Sequence, residues 1–153
     1  EKKQLQGKNE KYIITTVDAP FNGVKKALVI AGSDRRGTIY GIYELSKQLG
    51  VSPWYWWMDV PVVKRAEAYI LPGIYTDGEP AVKYRGIFLN DEAPCLTSWV
   101  KQYYGTDFGD HRFYAQVCEL ILRLKGNFLW PAMWGWAFMR MILSIVRLRM
   151  KWG

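Results

Sequence analysis

The chain is poor in the residues that hold small stapled or metal-centred folds together. It has two cysteines, Cys95 and Cys118, and a single histidine, His111. Two cysteines define no disulfide framework, and one histidine leaves the usual zinc spacings unfilled. No uncharged apolar run of roughly 18 residues occurs, so no segment reads as a transmembrane helix. Low-complexity tracts are absent, and with 50% hydrophobic and 23% charged residues the composition is that of a globular chain. The first residue is Glu1, and no basic-then-apolar leader follows it. The start therefore reads as a cut or processed end and carries no information on export.

Aromatic residues are abundant instead, with 8 Trp, 10 Tyr and 6 Phe making 16% of the chain. Such density implies a large core or a flat-faced ligand such as a sugar or a base. A net charge of +7 would suit nucleic acid. Its distribution argues otherwise, because Arg140, Arg147, Arg149 and Lys151 lie in a tail without acids. The remainder is ordinarily balanced.

Periodicity predicts an α/β layer arrangement at the start of the chain. Residues 12–17 and 27–31 are β-branched, apolar runs that read as strands, the second ending in Gly32-Ser33-Asp34. From Gly37 the period changes, and Ile39, Ile42, Tyr43, Leu45 and Leu49 mark one helix face. Ser33 or Asp34 can cap that helix, and Gly50 stands where a left-handed C-terminal residue belongs. Gly41 inside the helix costs about 1 kcal/mol against Ala, which predicts close backbone packing there. Residues 66–73 read as a further strand, followed by a Gly/Pro/Asp-rich boundary at 72–80.

Beyond the boundary the pattern restarts. Lys83–Leu89 reads as a strand ending in Asn90-Asp91-Glu92, followed by a long loop. Residues 111–125 form an amphipathic helix with Phe113, Val117, Leu120, Ile121 and Leu124 on one face. Gly126-Asn127 ends it, and a second strand begins at Phe128-Leu129-Trp130. This is a β-α-β unit, normally a crossover between parallel strands. Polar residues just after the first strand, and the aromatics Trp130 and Trp134 just after the second, suit the active-site rim of a β/α barrel. A whole barrel takes about 250 residues, so the chain holds its first two strands at most.

Three blocks, GSDRRGTIYGIYELSKQLGVSPWYWWMDVP at 32–61, EPAVKYRGIFLNDEAP at 79–94 and LKGNFLWPAMWG at 124–135, together resemble family 115 of the glycoside hydrolases. These are xylan α-1,2-glucuronidases, which remove (4-O-methyl)glucuronic acid from xylan. The resemblance runs from about Lys11 to Phe138. It implies a small N-terminal α/β domain over 1–78, truncated at its own start, and the opening of a catalytic (β/α)8 barrel over 79–138. It further implies hydrolysis by inversion, no cofactor or metal, and glucuronoxylan or its oligosaccharides as the partner rather than nucleic acid or membrane. A secreted or periplasmic bacterial parent, open to homodimerisation, also follows from it. The fragment itself is expected to be inactive.

The residues the resemblance places at the sugar are Asn90, Asp91, Glu92, Trp130 and Trp134. Inversion needs an acid and a base about 6.5–9.5 Å apart across the sugar, whereas adjacent residues on an extended strand point to opposite sides. Asp91 and Glu92 are thus not that pair; the principal acid is expected later in the barrel. Capping of the next turn competes with pocket lining for these two. Stacking on a pyranose competes with rim packing for Trp130, Met133 and Trp134. Trp54, Trp56 and Trp57 read as a packed seam, the alternative being a non-catalytic carbohydrate-binding surface. GSDRRG lacks the Gly-Lys-Ser/Thr ending of a phosphate loop and reads as a cap and turn. His111 reads as a first-turn surface residue, and both cysteines as small core or loop residues.

After Phe138 the family pattern gives way to MRMILSIVRLRMKWG. Back-translated with chosen codons and one A restored, Met139–Leu143 can read Asn-Glu-Asp-Asp-Pro and Leu148–Gly153 can read Ala-Asp-Glu-Met-Gly, both family-like. The Asp from Met141-Ile142, the Glu from Met150-Lys151 and the Gly from Trp152-Gly153 arise whatever codons are used. Residues 139–153 are therefore expected to be out of frame, which an extra A in the source DNA would establish. At face value the same stretch is a basic amphipathic helix for a membrane surface or a calmodulin-like partner.

Overall fold

A computed structural model of the chain describes residues 2–90, 92–107 and 109–132. Met133, Trp134 and the tail lie outside the described residues, as does Asp91. The fold is mixed α/β, and its contacts divide into two units: residues 1–83 with 122–125, and residues 84–121 with those from 126 onward.

In the first unit a four-residue helix, α1 (Lys2–Leu5), precedes β1 (Tyr12–Phe21) and β2 (Val24–Gly32). The two strands pair antiparallel from Tyr12↔Gly32 to Phe21↔Val24, across Asn22 and Gly23. Gly23 takes the left-handed φ of +85° that closes the turn. Both strands run longer than the apolar runs suggested, because pairing extends them through Asp18↔Lys26 and Phe21↔Val24. A short β3 (Ile74–Tyr75) adds to the other side of β1, giving the order β2-β1-β3. The strand expected over 66–73 does not form. Those residues are exposed, and the pairing falls instead on Ile74 and Tyr75, which lie opposite Thr15 and Ile14.

Helix α2 (Arg35–Gln48) follows the expected punctuation closely. Asp34 is the N-cap, its Oδ1 accepting from the Gly37 amide at 2.8 Å. Its other oxygen accepts from the Glu10 amide at 2.7 Å, so one carboxylate secures both the helix and the chain entering β1. At the far end Gly50 donates to the Lys47 carbonyl and Val51 to the Ser46 carbonyl, the paired bonds of a Schellman stop. The close approach predicted for Gly41 is present: a Cβ there would lie 2.6 Å from Ile30 Cγ2. One turn earlier, a Cβ on Gly37 would lie 2.3 Å from the Lys11 carbonyl oxygen. The helix thus meets the strands almost backbone to backbone. Tyr12, Ile14 and Tyr40 are buried together, with Ile30, Leu45 and Leu122 packed against them. Each such side chain contributes about 1.5–3 kcal/mol of apolar burial.

The second unit contains β4 (Gly86–Asn90) and β5 (Phe128–Ala132), paired in parallel as the β-α-β reading requires. The connection is not a plain loop followed by a helix. It contains α3 (Cys95–Tyr104), which sequence reading assigned to loop, before α4 (His111–Arg123). Gly105, with φ +73°, caps α3. Phe113, Val117, Leu120 and Ile121 are buried along α4 as the period demands, and Tyr114 and Val100 join them. Leu124 is exposed instead, because it lies past the last helical residue. His111 is an exposed first-turn residue, while Cys118 sits on the exposed side of α4 rather than in core or loop.

Candidate functional site

Parallel pairing runs in register from Gly86↔Phe128 through Phe88↔Trp130 to Asn90↔Ala132. Strand side chains alternate between faces, so Phe88, Asn90, Phe128 and Trp130 share one face. Ile87, Leu89, Leu129 and Pro131 occupy the other and are half-buried. The start of the pair is fixed by Asn127, whose Oδ1 accepts from the Arg85 amide at 3.0 Å. The Asn127 and Phe128 amides in turn donate to the Arg85 carbonyl, at 2.7 and 3.1 Å. Gly86 is required here: a Cβ would lie 1.8 Å from the Phe128 carbonyl oxygen.

Two sequence-identified residues are thereby placed on one surface. Asn90 ends β4 and is exposed; Trp130, at the middle of β5 rather than after it, is 61% exposed. Its ring meets Phe88 edge to face, with centroids 5.7 Å apart at 89°. Phe88 was missed by sequence reading, although its period-two phase with Asn90 is the signal that finds it. Glu92 follows in the exposed segment before α3. Asp91 and Trp134 lie outside the described residues, and nothing places Glu92 beside Trp130.

The β4-to-α4 connection carries a second aromatic surface. On α3 the Trp99 ring stacks on Tyr103 at 5.2 Å and 17°, and Tyr103 is exposed. Asp110 then orders the start of α4. Its Oδ1 accepts from the Arg112 and Phe113 amides at 2.8 and 3.3 Å, and Oδ2 accepts from Arg112 Nε at 2.8 Å. Burial alone would raise this carboxyl, but the Arg112 guanidinium and those two amides hold it below the usual carboxylate range. Arg112 also donates to the Tyr104 carbonyl at 2.9 Å.

The most perturbed groups belong to the first unit. Lys125 adopts a left-handed φ of +58° at the stop of α4, where its amide and that of Gly126 bond the Leu122 and Ile121 carbonyls. A non-glycine residue in this conformation costs about 1–2 kcal/mol. Its ammonium donates to Glu44 Oε2 at 2.7 Å, to the Tyr12 hydroxyl at 3.1 Å and to Asp77. Burial works against the ammonium, yet hydrogen bonds to Asp77, Glu44 and Tyr12 raise it above the ordinary lysine value. Burial would likewise raise the Glu44 and Asp77 carboxyls, but Lys125 holds both down. Burial pushes the Tyr12 phenol up to about 12. Neighbouring Arg123 is held over the Tyr43 and Tyr55 rings at 4.5 and 4.9 Å.

The Trp-rich segment forms successive turns over 53–57, with Trp54 exposed and Trp56 edge-on to Trp57 at 4.7 Å. GSDRRG is the cap and turn of α2, its Ser33 Oγ accepting from the Lys11 amide at 3.0 Å. Among the described residues no cluster of three His, Cys, Asp or Glu is placed to hold a metal ion. No helix among them is long and apolar enough to cross a membrane.

Residues 77–148 match the sequence model of glycosyl hydrolase family 115. Among eleven solved chains that match is one described as a family GH115 4-O-methyl-α-glucuronidase with specificity for decorated arabinogalactans. It superimposes with a TM-score of 0.71 at 38% identity, over 84% of the present chain. The present chain spans 17% of that protein's length. No curated protein sequence matches.

Proposed function

The chain belongs to glycosyl hydrolase family 115, and on that footing we propose that it is part of a glycoside hydrolase removing (4-O-methyl)glucuronic acid side chains from xylan. In this reading residues 1–78 are an N-terminal α/β domain, and residues 79–138 open a catalytic (β/α)8 barrel whose β4 and β5 are neighbouring strands. The observation that carries it is the parallel β4–β5 pair with Asn90 at its C-terminal end. In such barrels that end of the strands faces the active site. The Asn90 amide can both donate to and accept from sugar hydroxyls, and the Trp130 ring offers a flat apolar face to a pyranose. Asp91, Glu92 and Trp134 are the further members of the proposed sugar-binding set. The acid and base of an inverting reaction stand apart on opposite sides of the sugar, so they come from strands beyond these two.

Because the solved relative is described as acting on decorated arabinogalactans, the choice of backbone is the point to test. A full-length parent should release 4-O-methylglucuronic acid from glucuronoxylan faster than from arabinogalactan, with the β-anomer appearing first by proton NMR. Release only from arabinogalactan would overturn the xylan assignment, and an α-anomer first product would overturn inversion. The 153-residue chain alone should release nothing from either. If the parent binds glucuronoxylan without hydrolysis, the chain instead belongs to a binding module.

A further inference from the structure

Residues 61–77 are all exposed, and before β3 they form no helix, strand or turn. Among the described residues, the backbone of 61–70 makes no hydrogen bond to any part of the chain; the Leu71 carbonyl accepts one, from the Tyr75 hydroxyl at 2.8 Å. Proteases bind their substrates as extended strands through free main-chain groups, so exposure and unpaired backbone decide where a folded chain is cut. Lys64 and Arg65 sit inside this stretch, followed by the small Ala66. A trypsin-class protease recognises such side chains through an acidic specificity pocket.

Competing basic residues of the first unit, the exposed Lys83 apart, are held in regular structure or by a bonded amide. Lys25 and Lys26 lie in β2 on the β1–β2 ladder, and Arg35, Arg36 and Lys47 lie in α2. The Lys8 and Lys11 amides bond Leu5 and Ser33. Lys83 stands two residues before Arg85, whose amide is bonded to Asn127. The chain downstream of the exposed stretch is also anchored. Ile74 and Tyr75 pair with β1, Thr76 Oγ1 donates to the Tyr12 carbonyl at 2.5 Å, and Asp77 pairs with Lys125. Glu79 accepts from the Asn9 amide at 2.8 Å and pairs with Lys8 at 3.2 Å.

We propose that Lys64-Arg65 is a processing site for a trypsin-class protease, and that the first unit stays assembled after the cut. Water adds across the Arg65–Ala66 amide, leaving a carboxylate on Arg65 and an ammonium on Ala66, both in solvent. No buried contact is broken, and the anchors at 74–79, with Leu122, Arg123 and Lys125 packed against Tyr12, Tyr43 and Glu44, hold the two pieces together.

Limited trypsin digestion of the intact chain, followed by mass spectrometry, tests both halves. Among basic residues between 8 and 125, the first cut should fall after Lys64 or Arg65. It should run at least about tenfold faster than any cut in β2 or α2, which require local opening. The fragments should co-elute on gel filtration and separate only in urea. Lys64→Gln with Arg65→Gln should abolish that cut without altering the circular dichroism. Thr76→Val with Asp77→Asn should let the fragments separate at a lower urea concentration than those of the unaltered chain. A first cut elsewhere in 8–125 overturns the site, and fragments of the unaltered chain that part under native conditions overturn the retained assembly.

Discussion

The two units solve the same problem, covering a small sheet with a helix, in opposite ways. In the first, α2 approaches the strands through Gly37 and Gly41, and four consecutive residues of β1, Tyr12 to Thr15, are buried. In the second, the sheet has two strands and keeps Phe88 and Trp130 exposed, while burial is concentrated on α3 and α4 at Val100, Phe113 and Val117. A two-stranded sheet is marginal by itself in water. The first unit is therefore held by its sheet, the second by its helices. Exposed aromatics in the second lie where the structure spends least on burial.

Substitutions can break this contrast, and the largest effect should come at Gly37. Valine there must displace a backbone carbonyl, and overpacking of this kind costs about 3 kcal/mol or more, measurable as a lowered urea midpoint. Gly86→Ala is its counterpart. It should abolish amide protection at Leu89 and Trp130 in hydrogen exchange while protection at Ile14 and Val29 persists. Equal loss in both strand pairs would show that the units do not unfold separately.

Lys125→Met should come next, at about 2 kcal/mol or less, since the ammonium is only half-buried and Asp77 is largely exposed. Its pH signature is more specific than its size. Glu44 and Asp77 are held below their ordinary values of 4.5 and 3.8, so their stabilising contribution is present above those values. It is lost as pH falls through the lowered ones. Lys125 and Tyr12 are raised above 10.5 and 10.0, so their contribution is complete below pH 10 and fades as pH climbs further. Unfolding midpoints of the Met variant should lose much of the acid limb. Asp34→Ala removes the α2 cap and should cost about 1 kcal/mol. Lys26→Ala breaks only the exposed pair with Asp18 and should leave the thermal midpoint unchanged.

What could be read from the sequence was whatever local chemistry decides. Asp34, Gly50 and Gly41 announced the cap, stop and close packing of α2 because each acts within a turn or through one missing Cβ. The parallel β4–β5 pair followed from strand, helix and strand in succession. Helix α3 was lost because Pro94 stands at its N-cap without a side-chain bond, although Gly105 at its end was visible. β3 was misplaced because 66–73 has apolar residues, yet only pairing with β1 decides which residues become strand. The Lys125 cluster joins residues 12, 44, 77 and 125, and no spacing along the chain foretells such a meeting. At the candidate site the sequence supplied Asn90 and Trp130, while the partnership of Trp130 with Phe88 needed the register.

The makeup of the first unit's core also determines how its unfolding becomes visible. Its buried side chains are Tyr12, Ile13, Ile14, Thr15 and Tyr40, with no indole among them; the unit's tryptophans lie in the turns at 54–57. Among the described residues, excitation of tryptophan alone therefore reports on those turns and on Trp99 and Trp130 of the other unit; Trp134, Trp136 and Trp152 lie outside them. Melting of the β1–β2–α2 core would reach that signal only through the half-buried Trp56 and Trp57, and would be directly apparent in tyrosine emission. Two spectroscopic curves that separate would then mark two transitions where one intensity trace records a single event.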